Sequence, residues 1–173
     1  MANIDRLAYN RAGQLFTAAN VSAKSVIAVT TAMTGVILYN PNGSNKTLFV
    51  LDYGFSWTTV PGAVHNIGLG VAIPSVTVAS SLTAIGSGVQ SGLGYGNAST
   101  SAAAAYDAAT LAVAPVARRW AGGASWGSSV GVSPYTLIDY VDGAVAVPPG
   151  GAACLIALTT TAVGVGHICW IEV

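Results

Sequence analysis

The sequence predicts an all-β fold, an antiparallel β-sandwich with a jelly-roll-like architecture and an N-terminal arm. Large apolar residues alternate with small or polar ones from Val36 onward, turns rich in Gly, Pro, Asn and Ser separate the short apolar runs, and no convincing helical pattern follows Thr30. We count roughly eight strands, a number typical of jelly rolls. The chain therefore divides into an arm over residues 1–30 and a sandwich domain over residues 31–173.

The first 30 residues have no strong core pattern. Ile4, Leu7 and Leu15 suggest a short helix, which Gly13 interrupts. The segment also holds three of the six Lys and Arg residues of the chain, at positions 6, 11 and 24. We interpret it as an arm that contacts a neighbouring subunit, where its arginines would pair with the partner's carboxylates. A first strand preceded by a frayed terminus is the alternative.

The first strands of the sandwich follow the arm. "GVILYN" is a short strand, "NPNGSN" is a turn in which Pro fixes φ, and "TLFVLDYGFSW" is the next strand. In this last strand one face is uniformly large and apolar, so we expect it to point into the core. That face carries Phe49, Leu51, Tyr53, Phe55 and Trp57.

The second half of the chain continues the β pattern. After the turn "TTVPGAV", the segments "HNIGLGVAI" and "SVTVASSLTAI" are predicted strands, and Gly86–Ala105 is a low-complexity stretch expected to form a long loop. "ATLAVAPVARRW" resumes as a strand in which Pro115 indicates an edge or a bulge. "SPYTLIDYVDG" alternates, and "AVAVPPGG" turns the chain into "AACLIALTT" and "VGVGHICWIEV".

Charged residues are scarce. They make up 7% of the 173 residues, the formal net charge is zero, and no Asp, Glu, Lys or Arg occurs between Tyr53 and Tyr106. A nucleic-acid partner is not expected, because phosphate binding requires a basic surface. A soluble monomer usually carries more charge on its surface. We therefore favour a subunit covered by other chains over a domain with a neutral polar surface, and we expect an oligomer.

No membrane partner is expected either. Ala152–Ile171 is long enough to cross a bilayer, but three consecutive Thr, two Gly and a His interrupt it and no cluster of Lys or Arg flanks it. It is better interpreted as two strands and a turn. The N-terminus has no apolar signal-peptide region.

Two cysteines are present, Cys154 and Cys169. In a hairpin centred on Thr161–Ala162 they would face each other and could form a disulfide. Without an export signal, we expect reduced thiols in the core.

One motif suggests catalysis. Gly123–Gly127 matches G-x-S-x-G, and Asp139 or Asp142 and then His167 follow in the order of α/β-hydrolase triads. That motif requires a helix after the serine, and "SSVGVSPYT" is not a helix-forming sequence. His65 and His167 are the only histidines, and neither has the neighbours of a metal site. We therefore expect no enzyme activity, cofactor or metal.

Arg118, Arg119 and Trp120 form a second candidate group. Arg and Trp are frequent at the energetic centre of protein interfaces. The three residues are either an interface anchor or a solvated strand end, and the sequence favours neither.

Three segments resemble structural proteins of tailed phages. "TGVILYNPNGSNKTLFVLDYGFSW" is similar to their pattern TG-x-x-LYNP-x-GSGK-x-L-x-L and departs from it at GSNK, a turn. "DGAVAVPPGGAACLIAL" is similar to their second block, and "HICWIEV" to their final strand. Together these segments cover about a third of the chain.

The resemblance implies a virion structural protein. It would be a jelly-roll decoration or cement protein, a homotrimer that binds the major capsid protein on the capsid exterior and is assembled in the host cytoplasm. No catalytic residues come with it. The residues expected to contact the capsid or a neighbouring subunit are Arg6, Arg11, Lys24, Arg118, Arg119 and Trp120.

The alternative is a carbohydrate- or receptor-binding β-sandwich of a phage fibre or lectin-like protein. Trp57, Trp120 and Trp126 could stack on sugars in such a module. The basic arm favours the capsid-binding protein, whereas aromatic side chains exposed in a shallow groove would favour the second class.

Overall fold

A computed structural model describes residues 5–59, 64–72, 80–86, 88–92, 101–124, 136–159 and 161–173. It confirms the all-β sandwich: within these residues twelve strands form two antiparallel six-stranded sheets, and one short helix precedes them. No described helix is long and apolar enough to cross a membrane. The elements are α1 Arg6–Arg11, β1 Leu15–Ala19, β2 Lys24–Val26, β3 Ala32–Tyr39, β4 Leu48–Trp57, β5 His65–Ala72, β6 Ser80–Ala84, β7 Gln90–Ser91, β8 Ala104–Thr110, β9 Val116–Ala124, β10 Thr136–Val147, β11 Ala152–Ala157 and β12 Ala162–Glu172.

The strand order is that of a jelly roll. The first sheet has the order β10-β4-β12-β1-β7, with β2 also paired to β12, and the second sheet has the order β6-β8-β3-β11-β5-β9. Eight of these strands pair as a long ribbon folded at its middle: β1 with β12, β3 with β11, β4 with β10 and β5 with β9. Rolling such a ribbon into two sheets gives the double Greek key of this fold. The remaining four strands, β2, β6, β7 and β8, extend the sheets beyond the predicted eight.

A β-bulge in β4 changes the face that points into the core. Cys169 and Trp170 are consecutive on β12 but lie opposite Asp52 and Val50, so Leu51 is an additional residue on β4. Before the bulge, even-numbered residues of β4 enter the core, and after it odd-numbered residues do. The predicted face was therefore wrong at its beginning, since Phe49 is only partly buried. The core residues of β4 are Leu48, Val50, Tyr53, Phe55 and Trp57.

The structure has two apolar layers, which accounts for the high apolar content. In β11, Ala153 and Leu155 face the core between the sheets, whereas Cys154 and Ile156 belong to a second cluster on the outer face of the second sheet. This second cluster also contains residues of β3, β5 and β8 and is fully or almost fully buried. Apolar side chains on both faces of one sheet produce runs without alternation, such as that of β11.

The cysteines do not lie in a hairpin. β11 belongs to the second sheet and β12 to the first, so Cys154 and Cys169 lie in different sheets and both thiols are free. The sequence left open the hairpin considered for this segment, because the apolar pattern reveals strands but not the sheet to which each belongs. Burial raises the pKa of the Cys154 thiol to about 12.

The segment assigned to an arm contributes strands to the sandwich. β1 pairs with β12 over five residues and with β7 on its other side, and β2 pairs with β12 further along. Phe16 is buried and stacks on Trp170 with ring centres 6.1 Å apart. Residues 15–26 thus agree with the alternative interpretation, in which this segment is a first strand of the sandwich. The helix α1 lies outside the sheets.

Two further predictions are corrected within the described residues. The strand predicted for "ATLAVAPVARRW" is two strands, since Pro115 lies between β8 and β9. Part of the predicted loop at 86–105 is ordered by Glu172, whose carboxylate accepts hydrogen bonds from Ser101 Oγ at 2.6 Å and Ala102 N at 3.0 Å. Residues 73–79, 87 and 93–100 lie outside the described residues.

Candidate functional site

α1 begins at a well-formed cap. Asp5 precedes the helix, and its carboxylate accepts hydrogen bonds from Leu7 N and Ala8 N, both at 3.1 Å. These contacts satisfy two amide groups that the helix itself leaves without partners. The cap starts the helix at Arg6 and thereby places this side chain over the first sheet.

Arg6 joins α1 to the outer face of the first sheet. Its guanidinium donates to Asp52 Oδ2 at 2.7 Å and to Asp142 Oδ1 at 3.0 Å, and it lies 5.4 Å from the centre of the Tyr140 ring. Two carboxylates of its own sandwich bind Arg6 in this structure, and its pairing with a carboxylate of a partner stays a prediction. We call Arg6, Asp52, Asp142 and His167 the Arg6 cluster.

His167 approaches the same carboxylate from β12. Its Nε2 lies 3.4 Å from Asp52 Oδ1, and the imidazole lies over the backbone of Gly54. A Cβ atom at position 54 would overlap the imidazole ring and would also come within 2.8 Å of Leu137 O. The absence of a side chain at Gly54 therefore allows His167 to reach Asp52 across the strand pair.

The Arg6 cluster changes the acidity of Asp52. Burial opposes ionisation of this carboxyl group, but the hydrogen bonds from His167 and Arg6 and the Arg6 charge outweigh burial and hold its pKa below the ordinary value. A depressed pKa stabilises the folded protein above the unfolded-state pKa of an aspartate, about 3.9. This contribution is lost as the pH falls through the folded-state pKa.

We expect Arg6→Gln to lower the free energy of unfolding at pH 7 by about 1 kcal/mol, because Asp52 loses its main cation at a site partly open to water. The difference from the wild type should shrink below about pH 4, as Asp52 becomes protonated in both proteins. Urea unfolding at several pH values measures it. Arg11→Gln, on the same helix, is the control and should have little effect. A difference that persists unchanged at low pH would contradict the assignment.

The G-x-S-x-G motif finds no support in its predicted partners. His167 contacts Asp52, Asp142 binds Arg6, and Asp139 binds Arg119. The serine of the motif lies outside the described residues. Of the residues that the sequence places in triad order, His167 and Asp142 thus belong to the Arg6 cluster, whereas Asp139 pairs with Arg119.

Cys169 lies two residues from His167 on the same face of β12. Burial and the nearby Asp52 charge raise the pKa of its thiol to about 12. A nucleophilic cysteine requires a lowered pKa, so this environment does not activate the sulfur. The described residues also contain no group of three His, Cys, Asp or Glu side chains that could hold a metal ion.

A second site lies at one edge of the sandwich, where β10 is the terminal strand of the first sheet and β9 is the terminal strand of the second. Arg119 Nε and a terminal nitrogen donate to the two carboxylate oxygens of Asp139 at 2.7 and 2.9 Å. This bidentate pair connects the two sheets, and it lowers the pKa of Asp139. Burial and the Asp139 charge raise the pKa of the nearby Tyr53 phenol.

The strands β9 and β10 also expose large apolar side chains. Trp120, 42% exposed, lies over Gly68, where a Cβ atom would be 2.7 Å from the indole. Arg118 is exposed and forms no salt bridge with a described residue. The exposed apolar residues of these two strands are Val116, Trp120, Ile138 and Tyr140. We call these four together with Arg118 the edge surface.

The third polar site is internal. Asp107, on β8, is 7% exposed, and its two carboxylate oxygens bind Asn20 Nδ2 at 2.6 Å and Lys24 Nζ at 3.2 Å. Gly166 N donates to Asn20 Oδ1 at 3.1 Å. The network joins the end of β1, the start of β2, and β8 and β12. Lys24 is therefore bound within the chain.

The six predicted contact residues thus separate into two groups. Arg6, Lys24 and Arg119 form ion pairs within the chain. Arg11, Arg118 and Trp120 are exposed, and neither Arg11 nor Arg118 forms an ion pair with a described residue. Sequence reasoning did not find the acidic partners. The one available signal was an acidic residue inside a mostly apolar strand, as at Asp52 and Asp107, because a buried carboxylate requires a cation or several donors.

Comparison of the chain with protein-family models, curated proteins and solved structures gives no match.

Proposed function

We propose that the chain is a virion structural protein that binds and stabilises a phage capsid as a decoration or cement subunit and acts as a homotrimer. The observation that carries the proposal is the edge surface. Its two strands, each the last of its sheet, carry an exposed Trp and Tyr, two exposed aliphatic side chains and an arginine without a described ion-pair partner, in a chain of which charged residues make up only 7%.

The composition of the edge surface is that of a protein interface. Aromatic residues and Arg are enriched at interface centres, and Trp, Tyr and Arg dominate their energetics. Arg118 can bind a partner's carboxylate because no described carboxylate of its own chain binds it. The cations bound internally contribute fold stability instead. The resemblance to tailed-phage structural proteins supports a capsid protein as the partner.

The low charge supports attachment to a shell more than capture of a charged ligand. Six basic and six acidic residues give a net charge of zero, and three of the basic residues pair within the chain. Long-range electrostatic steering would therefore be weak. Capsid binding should accordingly depend little on salt, since apolar burial rather than ion pairing would supply most of its free energy.

We expect Trp120→Ser to weaken binding to capsids by about 30-fold, which corresponds to the loss of roughly 2 kcal/mol at an interface anchor. Co-sedimentation of purified protein with capsids that lack it measures the change. Leu82→Ser is a matched control, because Leu82 is also 42% exposed but lies on β6 at the opposite end of the second sheet. Equal binding by the Trp120 variant, or loss with the Leu82 variant alone, would place the contact elsewhere. A stable monomer in sedimentation analysis would contradict the trimer.

A carbohydrate-binding module is the second candidate, and exposed Trp120 is the observation in its favour. Of the other two tryptophans considered for stacking, Trp57 is 3% exposed and Trp126 lies outside the described residues. Because the indole of Trp120 lies over Gly68, only one of its faces is available to a sugar. This arrangement favours carbohydrate binding less than capsid binding. Binding of Trp120-dependent glycans on an array, without capsid binding, would establish it instead.

A further inference from the structure

We propose that Lys24 and Asn20 form an intramolecular isopeptide bond, with Asp107 as the proton shuttle. The carboxylate of Asp107 contacts both the amine of Lys24 and the primary amide of Asn20. This inference is independent of the proposed function and concerns the covalent structure of the folded chain.

The two reacting groups share one carboxylate. Asn20 Nδ2 lies 2.6 Å from Asp107 Oδ1, and Lys24 Nζ lies 3.2 Å from Asp107 Oδ2. The lysine nitrogen and the amide nitrogen are therefore held at the two oxygens of the same group. The register also favours their contact: Asn20 N bonds Gly166 O, whereas Lys24 lies opposite Gly164, two residues along the same strand. Both side chains accordingly leave the sheet on the same face.

The Asn20 amide is oriented and polarised for attack. Its Oδ1 accepts a hydrogen bond from the backbone N–H of Gly166 at 3.1 Å, and its Nδ2 donates to Asp107 and, at 3.4 Å, to Gly35 O. The Gly166 N–H would face the negative charge that develops on Oδ1 in a tetrahedral intermediate. Asn20 is 8% exposed, so water competes little for these contacts.

The reaction needs no external reagent. Asp107 Oδ2 takes a proton from Lys24, and the neutral Nζ forms a bond to Asn20 Cγ. Asp107 then returns the proton through Oδ1 to Nδ2, the Cγ–Nδ2 bond breaks, and ammonia leaves. Nζ loses a second proton as the secondary amide forms, and Asp107 accepts this proton and passes it to the departing ammonia. A lysine ammonium group and a primary amide become a secondary amide and an ammonium ion, with no oxidation or reduction. The Lys24 side chain is 33% exposed, which leaves a path for ammonia to solvent.

Mass spectrometry of the full-length protein tests the proposal. We expect the intact mass to be lower than the sequence mass by one ammonia, roughly 17 Da. After denaturation, trypsin should not cut after Lys24, and a peptide spanning residues 12–46 should appear. Its fragmentation should show no backbone cleavage between positions 20 and 24. Incubation at about pH 9, which increases the neutral fraction of a lysine amine, should complete any partial conversion.

Two variants make the test specific. Lys24→Arg retains the positive charge facing Asp107 but cannot form the bond, so it should show the full sequence mass. The Asp107→Asn variant should lose no ammonia and should therefore also show the full sequence mass. Circular dichroism checks that this variant remains folded. Succinimide formation at Asn42 would remove ammonia too, but it would leave cleavage after Lys24 intact and would persist in the Lys24→Arg protein. A wild-type protein with unchanged mass and normal cleavage after Lys24 following the incubation would overturn the proposal.

Discussion

Phe55→Ala should lower the free energy of unfolding by about 3–5 kcal/mol, the usual cost of removing a buried Phe side chain. Phe55 is 1% exposed and packs edge-on against Trp57 with ring centres 5.1 Å apart. Phe49→Ala, on the same strand, should cost only about 1 kcal/mol, because Phe49 is partly exposed on the other side of the bulge. Urea denaturation followed by circular dichroism compares the two variants.

The comparison of Phe55→Ala with Phe49→Ala tests the β4 bulge as well as the core. Without the bulge, the two phenylalanines would occupy the same face and their replacement would have similar effects. Equal losses of stability would therefore show that the register across Leu51 is regular. The large difference that we expect requires one additional residue between Val50 and Asp52, as the pairing with β12 indicates.

The sequence predicted the fold class and most strands because both depend on local patterns. Turn residues mark the ends of β3 and β4, and alternation marks β10. The bulge at Leu51 was not predictable, since an inserted residue changes the side-chain parity without changing the composition. The separation of β11 and β12 into different sheets was missed for a related reason. A short connection between two strands suggests a hairpin, whereas in a jelly roll it also joins strands across the sandwich.

The candidate sites were less predictable than the fold. The exposed position of Trp120 and Arg118 agrees with their selection as interface residues, but the composition could not separate Arg118 from Arg119. Only the packing of the two sheets places Arg119 on β9 beside Asp139 on β10. Ion pairs between residues distant in the chain, such as Arg6 with Asp52, depend on the tertiary structure and leave no spacing to recognise.

A chain that begins at Thr31 should fail to fold cooperatively. This truncation removes β1, which lies between β12 and β7, and it removes β2. The buried side chains lost include Phe16, Ala18 and Val26. Loss of the Phe16 side chain alone would cost about 3–5 kcal/mol, a large part of the 5–15 kcal/mol by which domains are usually stable. Trp170 would lose its stacking partner and β12 a whole neighbouring strand.

A chain that begins at Gln14 separates this effect from the loss of α1. It retains β1 and the backbone bond from Glu172 N to Gln14 O at 3.1 Å, but it lacks Arg6. We expect it to remain folded and to lose only about 1 kcal/mol, because a partly exposed ion pair contributes little. Thermal melting followed by near-ultraviolet circular dichroism distinguishes the two truncations. If the chain beginning at Thr31 melted as sharply as the one beginning at Gln14, residues 15–30 would be a detachable arm. If only the chain beginning at Thr31 failed to fold, residues 15–30 would be part of the sandwich. A test of capsid attachment must then vary the edge surface instead of deleting this segment.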